Sequence, residues 1–449
     1  MRFSYLENDP MRSITGPHLR DILQGASVAL ILKIIGAGVS FLFNVILARK
    51  LGAEGTGVFY LALTVMTLTA TVARFGVDNV LLRRVAANMS QGKMGDVRGV
   101  YRFGMLLAVP SSLLVTIVGW MLAPWLSNDL FAKPELVGPL RWMMLASLPF
   151  NLLLLHAELL RALKVIGQSQ VIQGVASPLL ALIAVWYLAA PWGVVGASAA
   201  YLFGALVTAT AGLWLWRRGT REVSGSHPVY PHAGIFLRNC SDLFFGTFLA
   251  NVFMRWAPFV LLGIWADSHD VGIYGIATRV ALLVGLMLAS VNTIVAPKFA
   301  SLYASGDLEA LGAIARTSVR YLRWLGAPVT LSVILGQDYI MGAFGDEFVP
   351  GGTVLAILAL GQYIGLACGS VGYLLIMTGH DRQYRRCSAI SSLLLTAVAL
   401  LTIPTFGVVG AALSYAVATA ALNIQAAWYV HRLLGISVIH RPRLRYHGP

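Results

Sequence analysis

Three basic residues, Lys33, Arg255 and Arg279, sit deep within long apolar runs of a 449-residue chain, and no Asp or Glu lies at comparable depth. A cation in such a setting normally has an anionic partner. The nearest carboxylates in kind, Asp78, Glu158 and Asp242, fall at or just past the ends of their runs. The missing anion is therefore solvent or a bound substrate. Guanidinium forks match phosphate oxygens, so the two arginines point to electrostatic capture of a phosphorylated ligand. Asn251 is one helical turn from Arg255, and Trp256 adjoins it. An amide and an indole face beside an arginine suit a sugar phosphate. A plainer reading stands next to this one: a buried lysine can be neutral, and the deep amides Asn44, Asn251, Asn292, Gln362 and Asn423 serve interhelical hydrogen bonding equally well.

Other chemistry is thin. His156 and Glu158 are two apart, and such positions do not face each other on a helix, so they make no metal pair. The segment "DSHD" (Asp267–Asp270) reads as a short solvated turn. There is no phosphate-binding glycine loop and no paired-carboxylate motif of the kind glycosyl transfer needs. Cys240, Cys368 and Cys387 lack metal-ligand spacing, and neither a disulfide framework nor a zinc site is expected. No cofactor is expected.

The elements that position the cations are set by composition. The chain is 57% hydrophobic and only 12% charged, with mean hydropathy +0.74. Soluble domains carry about 25% charged residues, so this chain belongs in a bilayer. The continuous apolar runs select helices over the alternating strands of a barrel. A ruler of about 20 residues gives twelve spans, from 25–47 to 408–430. Lys33 then lies about 12 Å from the start of the first span. In the seventh span (240–265) and the eighth (271–296), Arg255 and Arg279 lie about 15 Å and about 12 Å from the same membrane face. Four further arginines, Arg74, Arg141, Arg320 and Arg323, sit near span ends, where a long side chain can snorkel.

The connections sort by charge. Twelve spans place both termini on one side, whose segments hold 23 Lys and Arg, against three in the opposite loops (Arg49, Lys50 and Lys133). The positive-inside rule puts that basic side in the cytoplasm. The net charge of +14 is thus an orientation signal, and no nucleic-acid partner is inferred.

The chain also repeats itself. "GVVGASAAY" (Gly193–Tyr201) returns as "GVVGAALSY" (Gly407–Tyr415), 214 positions later. "GVFYLA" (Gly57–Ala62) returns as "GIYGIA" (Gly272–Ala277), and "LLRALKVIGQ" (Leu159–Gln168) more weakly as "LLIMTGHDRQ" (Leu374–Gln383), both at 215. The expected organisation is a six-helix bundle over 1–216, a cytoplasmic linker over 217–239, a second bundle over 240–430 and a basic tail over 431–449. Six crossings are even, so the two repeats are parallel, related by an axis along the membrane normal. Two such bundles with a path between them form the layout of an alternating-access transporter.

"ARKLGAEGTGVFYLAL" (Ala48–Leu63) and "FGVDNVLLRRVA" (Phe75–Ala86) resemble the polysaccharide transport family of the multidrug/oligosaccharidyl-lipid/polysaccharide (MOP) exporter superfamily. The matching residues are Ala48, Arg49, Leu51, Gly52 and Gly57, then Gly76, Asp78, Leu82 and Arg83. The resemblance implies an all-α polytopic membrane protein of the inner (cytoplasmic) membrane. It also implies a flippase for polyprenyl-pyrophosphate-linked oligosaccharide, serving O-antigen, capsule or exopolysaccharide synthesis. Partners would be the lipid-linked substrate, membrane lipid, a polysaccharide polymerase and glycosyltransferases. Multidrug relatives often carry an acid in the first helix for cation coupling, whereas span 1 here has only Lys33. A multidrug exporter and a membrane-embedded glycan-processing enzyme are the alternatives. A sodium or proton coupling ion stays open.

Overall fold

The computed structural model describes residues 17–221 and 225–438, without the side chains of 17–27, 29, 245–247 and 249–251, and contains no strand among them. The first half comprises α1 (Pro17–Arg74), α2 (Val77–Ser90), α3 (Met94–Trp125), α4 (Val137–Ala162), the short α5 (Ile166–Gln170) and α6 (Ser177–Gly219). The second comprises α7 (Ala233–Thr247), α8 (Met254–Trp265), α9 (Ser268–Ala304), α10 (Leu308–Leu335), α11 (Gln337–Gly342), α12 (Gly352–Cys368), α13 (Val371–Met377) and α14 (Asp381–Leu434). A π-helical segment, Phe248–Phe253, joins α7 to α8. Among the described residues, seven stretches are long and apolar enough to cross a membrane. The helices α1, α6 and α14 exceed the roughly 20 residues one crossing needs, and each is divided by a non-helical glycine: Gly52, Gly193 and Gly407. Within α6 the two parts fold back on each other, since Gly204 backs onto Ser177 and Ala181. In α14, Gln425 Nε2 likewise donates to Ser391 Oγ at 3.3 Å.

The repeat is written in backbone geometry. Gly193 (φ 54°, ψ −134°) and Gly407 (φ 51°, ψ −127°) take the same left-handed conformation, one that glycine alone adopts at little cost. Lys164 (φ 63°) and Gly379 (φ 77°), equivalent positions in the weakest of the three sequence matches, share a positive φ as well. Gly57 and Gly272, also equivalent, press against each other. A Cβ on Gly57 would stand 2.9 Å from Gly272 N, and one on Gly272 would stand 3.1 Å from Gly57 N. Reciprocal contact between equivalent residues is the signature of a two-fold axis, and here it runs between α1 and α9.

Packing distributes unevenly along that axis. Around the Gly57–Gly272 contact a single core draws on both halves, including Leu47, Phe59, Tyr60, Phe259, Tyr274, Phe344 and Phe348. At the other end, where the basic connections lie, the halves have separate cores. One surrounds Val80, Leu81, Val100 and Trp216, and the other Phe299, Leu311, Leu374 and Val430. Phe236 and Cys240, on either side of the expected bundle boundary at 239/240, both pack in the first half's core. The start of α7 therefore leans on the first bundle. The opening of the basic tail is also packed, through Ile436 and Val438 in the second half's core, while 439–449 lie outside the described residues.

Arg74 departs from the snorkelling expectation. It is buried, donating from Nη1 to Asn151 Oδ1 at 2.7 Å and pairing with Asp78 at 3.5 Å. Asn151 in turn donates to Ser112 Oγ at 2.8 Å. A carboxylate four residues on offers the guanidinium a nearer partner than the membrane surface does. Arg141 rests over the Trp120 ring at 4.5 Å, and Arg323 donates to the Ala367 carbonyl at 2.8 Å.

Candidate functional site

Arg255 is the second residue of α8, directly after the π-helical segment, and Arg279 lies three turns into α9. The two arginines, expected at similar heights, meet on one indole. Arg255 Cζ is 5.8 Å and Arg279 Cζ 5.7 Å from the Trp256 ring centroid, with Trp256 itself buried. Arg279 also stands 5.4 Å from the Tyr60 ring. Among the described residues neither arginine forms an ion pair, since the salt bridges there are Arg74–Asp78, Arg161–Glu158 and His269–Asp270. Aromatic faces hold both cations in place, each contact worth about 0.5–2 kcal/mol, without neutralising them. Two oriented cations with no carboxylate partner among the described residues can pair with an anion bearing several oxygens.

Tyr60 carries part of this site, and sequence reasoning did not single it out. Its hydroxyl donates to Asn44 Oδ1, which fixes the ring, and Asn44 Nδ2 donates to Ser40 O at 2.6 Å. Room for the ring comes from Gly275, where a Cβ would stand 2.3 Å from it. Positions 60 and 275 are equivalent in the repeat "GVFYLA"/"GIYGIA", so the tyrosine of one copy lies on the glycine of the other. That mismatch was the available signal.

Lys33 is half-buried and is not gathered into this cluster. It lies eleven residues from Asn44 along α1, about 16 Å toward the basic end. Asn251 falls in the π-helical segment, one turn before Arg255, and its side chain lies outside the described residues. Of the other deep amides, Gln362 donates to the Tyr415 hydroxyl at 3.2 Å, Asn423 to its own helix at Thr419 O at 2.9 Å, and buried Asn292 leaves Oδ1 without a partner. His156 is spent on the Leu152 carbonyl (2.7 Å) and Glu158 on Arg161 (2.9 Å), so they hold no common ligand. Among the described residues no cluster of three or more His, Cys, Asp or Glu could hold a metal ion.

The site is shut off at the end away from the basic connections. Lys133 Nζ donates to the carbonyls of Gly263 and Ala266 across the halves, both at 2.8 Å, and to Phe131 O at 3.2 Å. Ala53 N donates to Glu347 Oε2 at 2.7 Å, Arg49 Nε to Ala343 O at 3.0 Å, and Ser268 Oγ to Glu135 Oε1 at 3.1 Å. Burial holds the Lys133 ammonium below the ordinary lysine range, opposed by Asp267 and Glu135. At the basic end a cavity of about 580 Å³ opens between the halves. Its residue Asp242 is thirteen positions from Arg255, about 20 Å along the helix.

Known proteins share this fold. The probable low-salt glycan biosynthesis flippase Agl15 of Haloferax volcanii is 23% identical over 419 residues, covering 93% of this chain and 85% of the relative. The lipid II flippase MurJ, in an inward closed conformation, superposes with TM-score 0.73 at 14% identity, covering 89% of this chain and 86% of MurJ. An inward-facing multidrug resistance MATE family transporter of the MOP superfamily gives TM-score 0.74 at 15% identity, covering 91% and 98%. The structural likenesses establish a MOP-type fold in a multi-pass membrane protein, in agreement with the resemblance read from the sequence. The family model for polysaccharide biosynthesis proteins matches residues 22–303, more than half of the 449, and the chain belongs to that family.

Proposed function

We propose that the chain is a flippase carrying a polyprenyl-pyrophosphate-linked oligosaccharide across the cytoplasmic membrane for surface polysaccharide synthesis. The observation that carries this reading is the pair of unneutralised arginines on the shared Trp256 face. The substrate brings the anion that the protein lacks. In the proposed orientation the basic end and both termini are cytoplasmic, and each glycine-broken helix crosses twice, for twelve crossings. The shut end is then extracytoplasmic, and the structure faces inward. The pyrophosphate approaches through the gap between the separate cores, binds Arg255 and Arg279, and keeps its prenyl tail in lipid. Rocking of the halves about the Gly57–Gly272 axis carries it outward. Glycosyltransferases supply the substrate and a polymerase consumes it. The protein binds and moves its substrate and makes or breaks no bond in it. A multidrug exporter of organic cations fits poorly, because it would have to bring cations to a cationic site.

Deletion of the gene tests this directly. Polyprenyl-pyrophosphate-linked oligosaccharide should accumulate in the inner leaflet while surface glycan disappears. Wild-type chain should restore display, and R255Q or R279Q, present at equal level, should not. Full display in both variants refutes the arginine site. Altered drug sensitivity without accumulation refutes the flippase.

A further inference from the structure

We infer that the cavity of about 580 Å³ at the basic end is a second anion site, which receives the sugar-pyrophosphate head before Arg255 and Arg279 do; the inference rests on the proposed function. Its walls come from both halves. Asn79, Arg83 and Arg84 stand on α2, Asp242 on α7, and Tyr384 and Arg385 at the start of α14. A site built across the halves changes shape when they move, as a loading site must.

Its charges are also unspent. Three guanidinium groups and two carboxylates, Asp242 and Asp381, line one space, yet none of them forms an ion pair within 4.0 Å among the described residues. Arg84 is positioned instead by the Phe236 ring, 5.5 Å away. This repeats the device seen at Trp256: an aromatic ring orients a guanidinium without neutralising its charge. A second recess of about 470 Å³ shares Arg83, Arg84 and Asn239, so these arginines form the wall between two spaces.

The lining chooses among anions. A phosphate alone would be served best by cations throughout. Carboxylates and the Asn239 amide add acceptors and donors for hydroxyl groups, and Tyr384 adds a ring face for the apolar side of a sugar. Tyr384 is held there by close contact with Gly372, where a Cβ would stand 2.8 Å from the ring. The volume falls within the roughly 300–1,000 Å³ of small-molecule sites. Arginine, carboxylate, amide and tyrosine together fit a sugar phosphate. About 20 Å of helix separates this site from Arg255, so one pyrophosphate occupies them in turn.

The test uses the full chain in lipid nanodiscs, with inorganic pyrophosphate as the probe in equilibrium titrations. Wild type should bind two equivalents, and R83Q/R385Q and R255Q/R279Q one each. The R83K/R385K variant keeps the charge, loses the fork and should bind at its altered site about tenfold more weakly than wild type. In the R255Q/R279Q background, glucose 1-phosphate should displace pyrophosphate at least as well as inorganic phosphate does. Unchanged stoichiometry and affinity in both R83Q/R385Q and R83K/R385K overturn the second site and leave those arginines as solvated orientation charges. Altered drug sensitivity without accumulation of lipid-linked oligosaccharide on deletion of the gene overturns the proposed function instead, so the two failures are read from different measurements.

Discussion

Replacing Lys133 by Met should unlatch the end of the molecule that is now shut. The ammonium donates to Gly263 O and Ala266 O across the halves, each at 2.8 Å, and the methionine keeps most of the apolar stem while removing both bonds. A hydrogen bond to a charged group contributes about 1.5–3 kcal/mol. Two give an upper range of about 3–6 kcal/mol, and desolvation of the ammonium in the shut state offsets part of it. A net loss of about 2 kcal/mol shifts the equilibrium about thirtyfold. If the open form starts near 1%, within the usual range for a minor state, it should rise to about a quarter of the population. Electron-electron spin resonance with labels at exposed Asp129 and Asp346, one on each half, reads the separation at this end in a background lacking native cysteines. K133M should add a long-distance population, and E347Q, which weakens the Ala53–Glu347 contact, should add a smaller one. Unchanged distances in both variants, with each protein folded, would refute the latch.

The same lysine gives a pH dependence. Its ammonium is held below the ordinary range in the shut state, so that state binds fewer protons than an open state exposing the lysine to water. Raising pH through the interval below about 10.5 should therefore favour the shut form, and lowering it should favour the open form. The spin-label distances should show this trend in wild type and lose it in K133M; a trend of the opposite sign refutes the assignment. Separately, G57A or G272A would bring a Cβ to 1.7 Å from Ser268 O or 2.0 Å from Ala53 O, both backbone atoms that cannot swing aside. Either should cost about 1–3 kcal/mol, seen as a lowered melting temperature. Equal melting temperatures would mean that the axis contact is looser than described.

Much of the central site was legible because height in a membrane helix follows from counting residues. Arg255 and Arg279 sit on consecutive antiparallel helices at similar depth, which puts them at one level, and the structure brings both to Trp256. Counting gives height but not azimuth or neighbour, and so Lys33, also deep, was grouped with arginines it does not join. Tyr60 was hidden for a related reason: an aromatic in an apolar run reads as packing until its partner is known. Lys133 was counted as a loop charge, since sequence cannot tell a solvated ammonium from one turned onto three carbonyls. The fold was clearer, because apolar length and a duplicated segment are properties of the chain order itself. The run Gly361, Gly365, Gly369 and Gly372 reads as close packing or a bend, and it does both: Gly361 meets Ala416, and the helix breaks at Gly369.

The contact at the axis bears on how a duplicated chain ages. Most paired positions can drift apart, because a larger residue in one copy is met by a smaller one in the other, as Tyr60 and Gly275 illustrate. On the axis that trade is closed, since each glycine faces main chain and main chain has nothing to give up. Gly196 and Gly410 are confined in the same way, by the carbonyls of Leu188 and Thr402 at 2.0 and 2.2 Å from their would-be Cβ atoms. These glycines lie within the stretches that still read alike in the two halves. The visible echo in the sequence is thus a map of where divergence had no room.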